Sequence, residues 1–197
     1  DGVFDPTVHT SKPDNATKWG VLAWGVGASR HGGDGFSWDG GNLQGIFEEH
    51  FFYIHQVTGN ILIANINAKW AGRTFFQMAN RNREYEIVGL PEGKGDIYIE
   101  DCNIEDVCLQ NGGGGSAFSF NGRHTGKIHL LNNTVRLGAN DRLLAPWNKN
   151  ITGSLMIHDG EDTEYKPNGD LVGEGCDFQG GPFFNGEGSA RRANVDI

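Results

Sequence analysis

The chain has 197 residues, which is enough for one domain with a substantial hydrophobic core, and no stretch resembles a linker between two cores. Glycine accounts for 31 residues and hydrophobic types for 37% of the chain, a composition that excludes simple disorder and indicates a folded, turn-rich protein. The formal net charge of −9 argues against nucleic acid as a general partner. No segment approaches the roughly 18 consecutive apolar residues of a membrane span, so no membrane span is predicted.

The first predicted strand follows residues 1–33, which we interpret as an N-terminal cap or a first irregular coil. The segment DGFSWDGGNL, starting at Asp34, places Phe36 and Trp38 two residues apart. This alternation is the period of a β-strand that buries one face. The segment also introduces Asn42 at a position that recurs later in the chain.

Four later segments repeat this pattern more completely. Each begins with glycine, has apolar residues at the second and fourth positions after it, and has Asn or Asp at the sixth. They read GNILIANINA from Gly59, GDIYIEDCNI from Gly95, GKIHLLNNTV from Gly126 and GSLMIHDGED from Gly153. The pattern predicts that their apolar side chains are buried and stacked in two columns, namely Ile61, Ile63, Ile97, Ile99, Ile128, Leu130, Leu155 and Ile157.

A second apolar run accompanies each of these segments. The runs are FFYIH at 51–55, TFFQM at 74–78, SAFSFNG at 116–122, RLLAPW at 142–147 and GPFFNG at 181–186. Successive copies start 25, 36, 31 and 27 residues apart, an irregular spacing in the range of repeat architectures. No helical period persists between the runs, so the repeating unit is predicted to be strand, corner, strand and loop.

This repeat pattern resembles that of the right-handed parallel β-helix family, the fold of pectate-lyase-like enzymes and of many phage tailspikes. The resemblance predicts an all-β fold, a right-handed parallel β-helix solenoid of about five to six coils with long loops and very little helix. Residues 1–197 would form a single β-helix domain, with coils over 34–186 and a C-terminal tail over 187–197.

Polar residues recur at two places in the repeat. Successive coils of such a fold lie about 4.8 Å apart, so equivalent side chains form columns. One column is predicted at a corner from Asn65, Asp101, Asn132 and Asp159, with Gly40 interrupting it, and another corner is predicted from Asn42, Asn67 and Asn103. Asparagine tolerates tight corners and its amide can satisfy buried backbone groups, so these columns are interpreted as structural. The acids near the first column are expected to face water, namely Glu100, Glu105 and Asp106.

Basic residues near the second apolar runs suggest a site for an acidic polysaccharide. Lyases of the fold that the chain resembles remove a proton beside a uronate, which requires a base and a cation near the carboxylate. The predicted catalytic residues are Arg81, Arg123 and His124. The predicted substrate-binding residues are Tyr53, His55, Arg73, Gln77, Arg83 and Trp147, and Trp70 is a further ring at a coil edge.

The acidic residues also allow a second enzymatic function, that of a glycoside hydrolase. Glycoside hydrolases need two carboxylates at a suitable separation, and the available pairs are Asp34 with Asp39, Asp101 with Asp106, and Asp159 with Glu161. No metal site or cofactor is predicted. The three cysteines lack CxxC spacing and fit no zinc site, and no calcium motif is present. Calcium binding through the oxygen atoms of the acidic residues is still possible.

The sequence therefore predicts a polysaccharide-binding β-helix domain, secreted or carried on a virion, which could also cleave its ligand as a lyase or a hydrolase. Its location would be extracellular or on a virion surface. The alternative is a structural, non-catalytic β-helix of a virion, surface layer or fibre, whose partners are other protein chains in a homo-oligomer or larger assembly.

Overall fold

A computed structural model describes residues 19–24, 35–46, 50–55, 59–80, 95–107, 115–122, 126–136, 151–158, 171–179, 184–187 and 195–196. Over these residues the chain is all β, and none of them is helical. The strands are β1 Trp19–Trp24, β2 Gly35–Ile46, β3 His50–His55, β4 Asn60–Ala71, β5 Thr74–Asn80, β6 Ile97–Glu100, β7 Asn103–Glu105, β8 Gly115–Gly122, β9 Ile128–Leu131, β10 Thr134–Arg136, β11 Ile151–His158, β12 Leu171–Glu174, β13 Asp177–Gln179, β14 Phe184–Glu187 and β15 Val195–Asp196.

The described strands form two sheets, and every pairing in them is parallel. The six-stranded sheet has the order β1-β3-β5-β8-β11-β14. The nine-stranded sheet has the order β13-β10-β7-β4-β6-β9-β12-β15, and β2 pairs with β4. Along the chain, each strand of the six-stranded sheet is followed by a strand of the other sheet, so the chain passes repeatedly between the two.

The nine-stranded sheet is bent, because β2 and β4 each cross a corner. The first half of β4 pairs with β6, and its second half pairs with β7. We call the side with β6, β9 and β12 the first arm and the side with β7, β10 and β13 the second arm. The predicted polar column lies at this corner in left-handed backbone conformation, with φ of 56° at Asn65, 53° at Asp101 and 52° at Asn132.

Glycine continues this column at both ends. Gly40 and Gly175 have φ of 82° and 65° respectively, so Gly40, expected to interrupt the column, occupies the same corner. Asn, Asp and Gly are the residues that adopt the left-handed region most readily. The property that the column shares is therefore backbone conformation rather than polarity.

The predicted apolar columns are confirmed for six of the eight residues. Ile61 pairs in register with Ile97 and then Ile128, and the next column is Ile63, Ile99 and Leu130. All six are buried. They join Phe52, Phe76, Phe118 and other residues of the six-stranded sheet in one hydrophobic core.

The placement of Leu155 and Ile157 in these columns is wrong. Both belong to β11, which pairs with β8 in the six-stranded sheet, where they lie opposite Phe118 and Phe120. The place beside Ile128 is taken by Leu171 of β12. Alternation of apolar residues is the same in both sheets, so it identifies a strand but does not assign the strand to a sheet.

Two of the repeated glycines are required by close approach of adjacent turns. A Cβ atom on Gly95 would collide with the backbone of Gly59, and one on Gly126 would collide with the backbone of Gly95. Gly95 also has φ of 84°, which disfavours other residues. At Gly95 and Gly126, glycine is therefore a packing requirement where consecutive segments meet.

Candidate functional site

Two rows of polar side chains run across the outer face of the second arm. The residues between the rows point inward, and Ala68, Ile104 and Val135 are buried. One row consists of Asn42, Asn67, Asn103, Thr134 and Asp177 in register. The other consists of Gln44, Lys69, Glu105 and Arg136, and the backbone of Gln179 continues the register.

The column of Asn42, Asn67 and Asn103 exists, but its predicted place at a corner is wrong. The three residues lie inside strands, two positions after the corner residues Gly40, Asn65 and Asp101. Asn42 and Asn67 are exposed and Asn103 is half-buried. None of the three side-chain amides makes a hydrogen bond with the part of the chain that the structure describes. Their donors and acceptors are therefore not used within the described residues.

The amide that does satisfy buried backbone groups belongs to Asn133. Its side chain is fully buried and accepts a hydrogen bond from the Cys102 backbone N–H at 3.1 Å. It also donates to the carbonyl oxygen of Ile99 at 2.7 Å. The structural role predicted for Asn103 thus falls to a neighbouring position that the sequence pattern did not single out.

Lys69 is held against an aromatic ring next to the amide row. Its Nζ lies 4.3 Å from the centre of the Trp70 ring, a cation–π contact. Trp70 is only 7% exposed, so its ring packs into the core and is not an open platform for a sugar. It has φ of 66° at a second left-handed corner, where Gly45 has 79° and Asp106 has 47°.

A groove of about 260 Å³ lies over this part of the second arm. Its walls carry both polar and apolar groups, with the three amides on one side and the Lys69 and Glu105 side chains on the other. Its lining residues are Asn42, Leu43, Gln44, Asn67, Ala68, Lys69, Asn103 and Glu105. The groove can therefore offer several hydrogen-bond donors and acceptors and one carboxylate to a bound molecule.

Three of the predicted site residues are described, and two of them are neighbours. Tyr53 of β3 pairs in register with Gln77 of β5, and both are half-buried, whereas the flanking Phe52 and Ile54 are buried as expected. The Tyr53 ring lies 4.9 Å from the ring of His50. Arg73 is half-buried in the turn before β5, four residues before Gln77 in the chain.

The other predicted site residues cannot be placed together. His55 is the last residue of β3, and its side chain is outside what the structure describes. The remaining ones lie outside the described residues, namely Arg81, Arg83, Arg123, His124 and Trp147. The basic cleft on the six-stranded sheet therefore stays a prediction.

The described acids do not form the expected carboxylate pair. Asp101 and Asp106 lie at opposite ends of β7, in two different corners. Asp106 is buried, so the expectation that it faces water is wrong, whereas Asp101 is exposed and accepts a hydrogen bond from the Asn132 amide at 3.3 Å. Within the described ranges, no group of three or more His, Cys, Asp or Glu residues could hold a metal ion.

An aromatic pair on the first arm was not anticipated. The rings of Tyr98 and His129 stack in register, 4.5 Å apart and within 2° of parallel. The Tyr98 hydroxyl donates to an Asp96 carboxylate oxygen at 3.5 Å. Each ring covers a face of the other, so the pair is a cross-strand contact and does not offer both faces to a ligand.

The residues of the groove were mostly missed because the sequence analysis searched beside the second apolar runs. The alternation in NILIANINAKWA continues past Asn65 to Lys69, which indicates that Asn67 and Lys69 share one face of a strand. This alternation identifies side chains that share one face of a single strand. The partner residue Glu105 becomes visible only from the pairing of β4 with β7.

No protein-family model matches the chain, and neither a curated protein nor a solved structure matches it. In the part of the chain that the structure describes, no helix is long and apolar enough to cross a membrane.

Proposed function

We propose that the chain is a right-handed parallel β-helix that binds a polysaccharide along the outer face of the second arm. The passage of the chain between two parallel sheets supports this fold, as does the register of equivalent residues from one segment to the next. Repeated left-handed corners with Asn, Asp or Gly support it further, because a solenoid must turn at the same place in each coil.

The observation that carries the function is the row of three amides in the groove that make no side-chain hydrogen bond with the described residues. An amide both donates and accepts hydrogen bonds, and sugar hydroxyls do the same. Neighbouring amides are about 4.8 Å apart along the row, so one side of an extended polymer with repeated hydroxyl groups can contact several of them. A row of equivalent groups suits a polymer better than a compact small molecule.

We propose that the groove binds a polysaccharide without hydrolysing it. Glu105 is the only carboxylate among the described residues that line the groove, whereas hydrolysis of a glycosidic bond by the usual mechanisms requires two. The residues that a lyase would use are the basic ones predicted beside the six-stranded sheet, and these are not part of this groove.

Calorimetric titration with oligosaccharides tests the proposal. The probes are oligomers of glucose, of N-acetylglucosamine and of galacturonate, each titrated into the unmodified chain. The test variant is Asn67→Thr, because Thr134 occupies the equivalent position on β10 in the same row. We expect at least one oligomer to bind and the variant to weaken binding by about two- to tenfold, the effect of losing hydrogen bonds between neutral groups.

Gln77→Ala is the matched control, since it also removes one amide from the outer face of a parallel sheet. We expect it to leave affinity unchanged. Loss of binding in the Gln77 variant alone would move the site to the six-stranded sheet. Absence of binding to every oligomer would contradict the proposal and favour the structural alternative, in which the partners are protein chains.

A further inference from the structure

Glu105 lies between two cations in its row and pairs with neither. It is in register with Lys69 on one side and with Arg136 on the other. Adjacent parallel strands place such side chains about 4.8 Å apart at the backbone, which is within easy reach of an ion pair. Glu105 nevertheless forms no ion pair or side-chain hydrogen bond with any described residue.

Both neighbouring cations are engaged elsewhere. The Lys69 ammonium lies over the Trp70 ring, 4.3 Å from its centre. Arg136 turns away from Glu105 to Asp177 of β13, in the other row, where its Nη2 atom is 3.0 Å from a carboxylate oxygen. The Glu105 carboxylate therefore lines the groove without a counter-charge from either strand beside it.

We infer that Glu105 makes the groove selective for polysaccharides that carry free amino groups. This inference rests on the proposed function and adds the ligand class. The three amides bind the hydroxyl groups that all sugars share, and Glu105 supplies the one interaction that distinguishes a protonated amine from a hydroxyl or an acetamide. A charge-assisted hydrogen bond to a carboxylate is stronger than one between neutral groups.

The charge of the whole chain acts in the same direction. A net charge of −9 concentrates cations near the surface and repels anions. An acidic polysaccharide in this groove would meet Glu105 directly. Lys69, the one cation among the described residues that line the groove, keeps its charge but holds its ammonium over the Trp70 ring, 4.3 Å from the ring centre.

The test compares two oligomers that differ only in the amino group. Oligomers of glucosamine and of N-acetylglucosamine with the same number of sugars are titrated calorimetrically into the unmodified chain and into Glu105→Gln, at a pH at which the amine is protonated. We expect the unmodified chain to prefer the glucosamine oligomer by about three- to fivefold, as for a partly exposed ion pair. Added salt should reduce this preference.

Glu105→Gln keeps the shape of the side chain and should remove most of the preference while leaving affinity for the N-acetylated oligomer unchanged. Glu100→Gln is the matched control, because it makes the same charge change on the first arm, outside the groove. We expect it to retain the preference. Thermal unfolding of both variants checks that they fold like the parent.

Equal binding of the two oligomers by the unmodified chain would overturn the selectivity and leave polysaccharide binding intact. A preference that survives in Glu105→Gln, or that is lost equally in Glu100→Gln, would also overturn it, because long-range charge would then be its cause. Binding of neither oligomer would overturn both the selectivity and the function on which it rests.

Discussion

The side chain of Asn133 reaches from its own turn to the adjacent one and donates a hydrogen bond to the carbonyl oxygen of Ile99 at 2.7 Å. The same side chain accepts from the backbone N–H of Cys102 at 3.1 Å. Because solvent does not reach Asn133, these two backbone groups have no water to replace it. One side chain thereby ties together two consecutive segments beside the corner.

Replacing Asn133 by Leu should lower the free energy of unfolding by about 2 to 4 kcal/mol, because two buried backbone groups lose their partner. Urea denaturation measures this. Asn103→Leu is the control, and we expect it to change stability by less than about 0.5 kcal/mol, since that amide makes no hydrogen bond in the described chain. Equal losses in the two variants would show that the amide hydrogen bonds are not the cause.

Asn65 provides a test of the left-handed corner. With φ of 56°, it has the conformation that costs most residues about 1 kcal/mol and glycine almost nothing. Asn65→Ala should therefore destabilise the chain by about 1 kcal/mol, and Asn65→Gly should retain more stability than Asn65→Ala. Both variants also lose the hydrogen bond to Asp39, so their difference in urea denaturation isolates the backbone effect. Equal stability of the two would contradict it.

Cys102 should make stability depend on pH in the alkaline range. Burial raises the pKa of its thiol from 9.0 to about 11, because the thiolate loses its hydration. The folded state then holds the proton more tightly than the unfolded state, so the stabilisation is complete below pH 9 and is lost as pH rises through about 11.

The expected loss over that range is roughly 2 kcal/mol. The measurement compares urea denaturation of the unmodified chain and of Cys102→Ala from pH 8 to pH 11. The variant should start less stable and lose less with rising pH. A parallel decline in both proteins would show that other groups cause the alkaline destabilisation.

Asp177→Asn offers an indirect test of groove selectivity. The substitution removes the negative charge that pairs with Arg136, so the Arg136 guanidinium can pair instead with Glu105 in the adjacent strand. We expect the preference for a glucosamine oligomer over its N-acetylated form to fall by about twofold, as for a surface ion pair of modest strength. Stability should change by less than about 1 kcal/mol. An unchanged preference, measured by the same titrations, would show that Arg136 stays away from Glu105 for another reason.

The sequence by itself determined several of the strands, six residues of the apolar columns and the first corner. Ile61, Ile97 and Ile128 were identifiable because burial of one strand face enforces a period of two, and a one-residue slip would expose each of them. Asn65 and Asp101 were identifiable because few residue types adopt a left-handed corner. Both signals are local, since a strand and a corner each depend on only a few consecutive residues.

Only the tertiary structure decided which segments pair and which side chains share a surface. Leu155 lies in the six-stranded sheet and Leu171 takes the place beside Ile128, and this assignment depends on pairing between segments that are distant in the chain. Glu105 has no ion pair because its two neighbours contact other groups. Lys69 contacts the Trp70 ring, and Arg136 contacts the Asp177 carboxylate. Which charged groups pair depends on the distances between side chains on different strands. Those distances cannot be read from the spacing of residues along the chain.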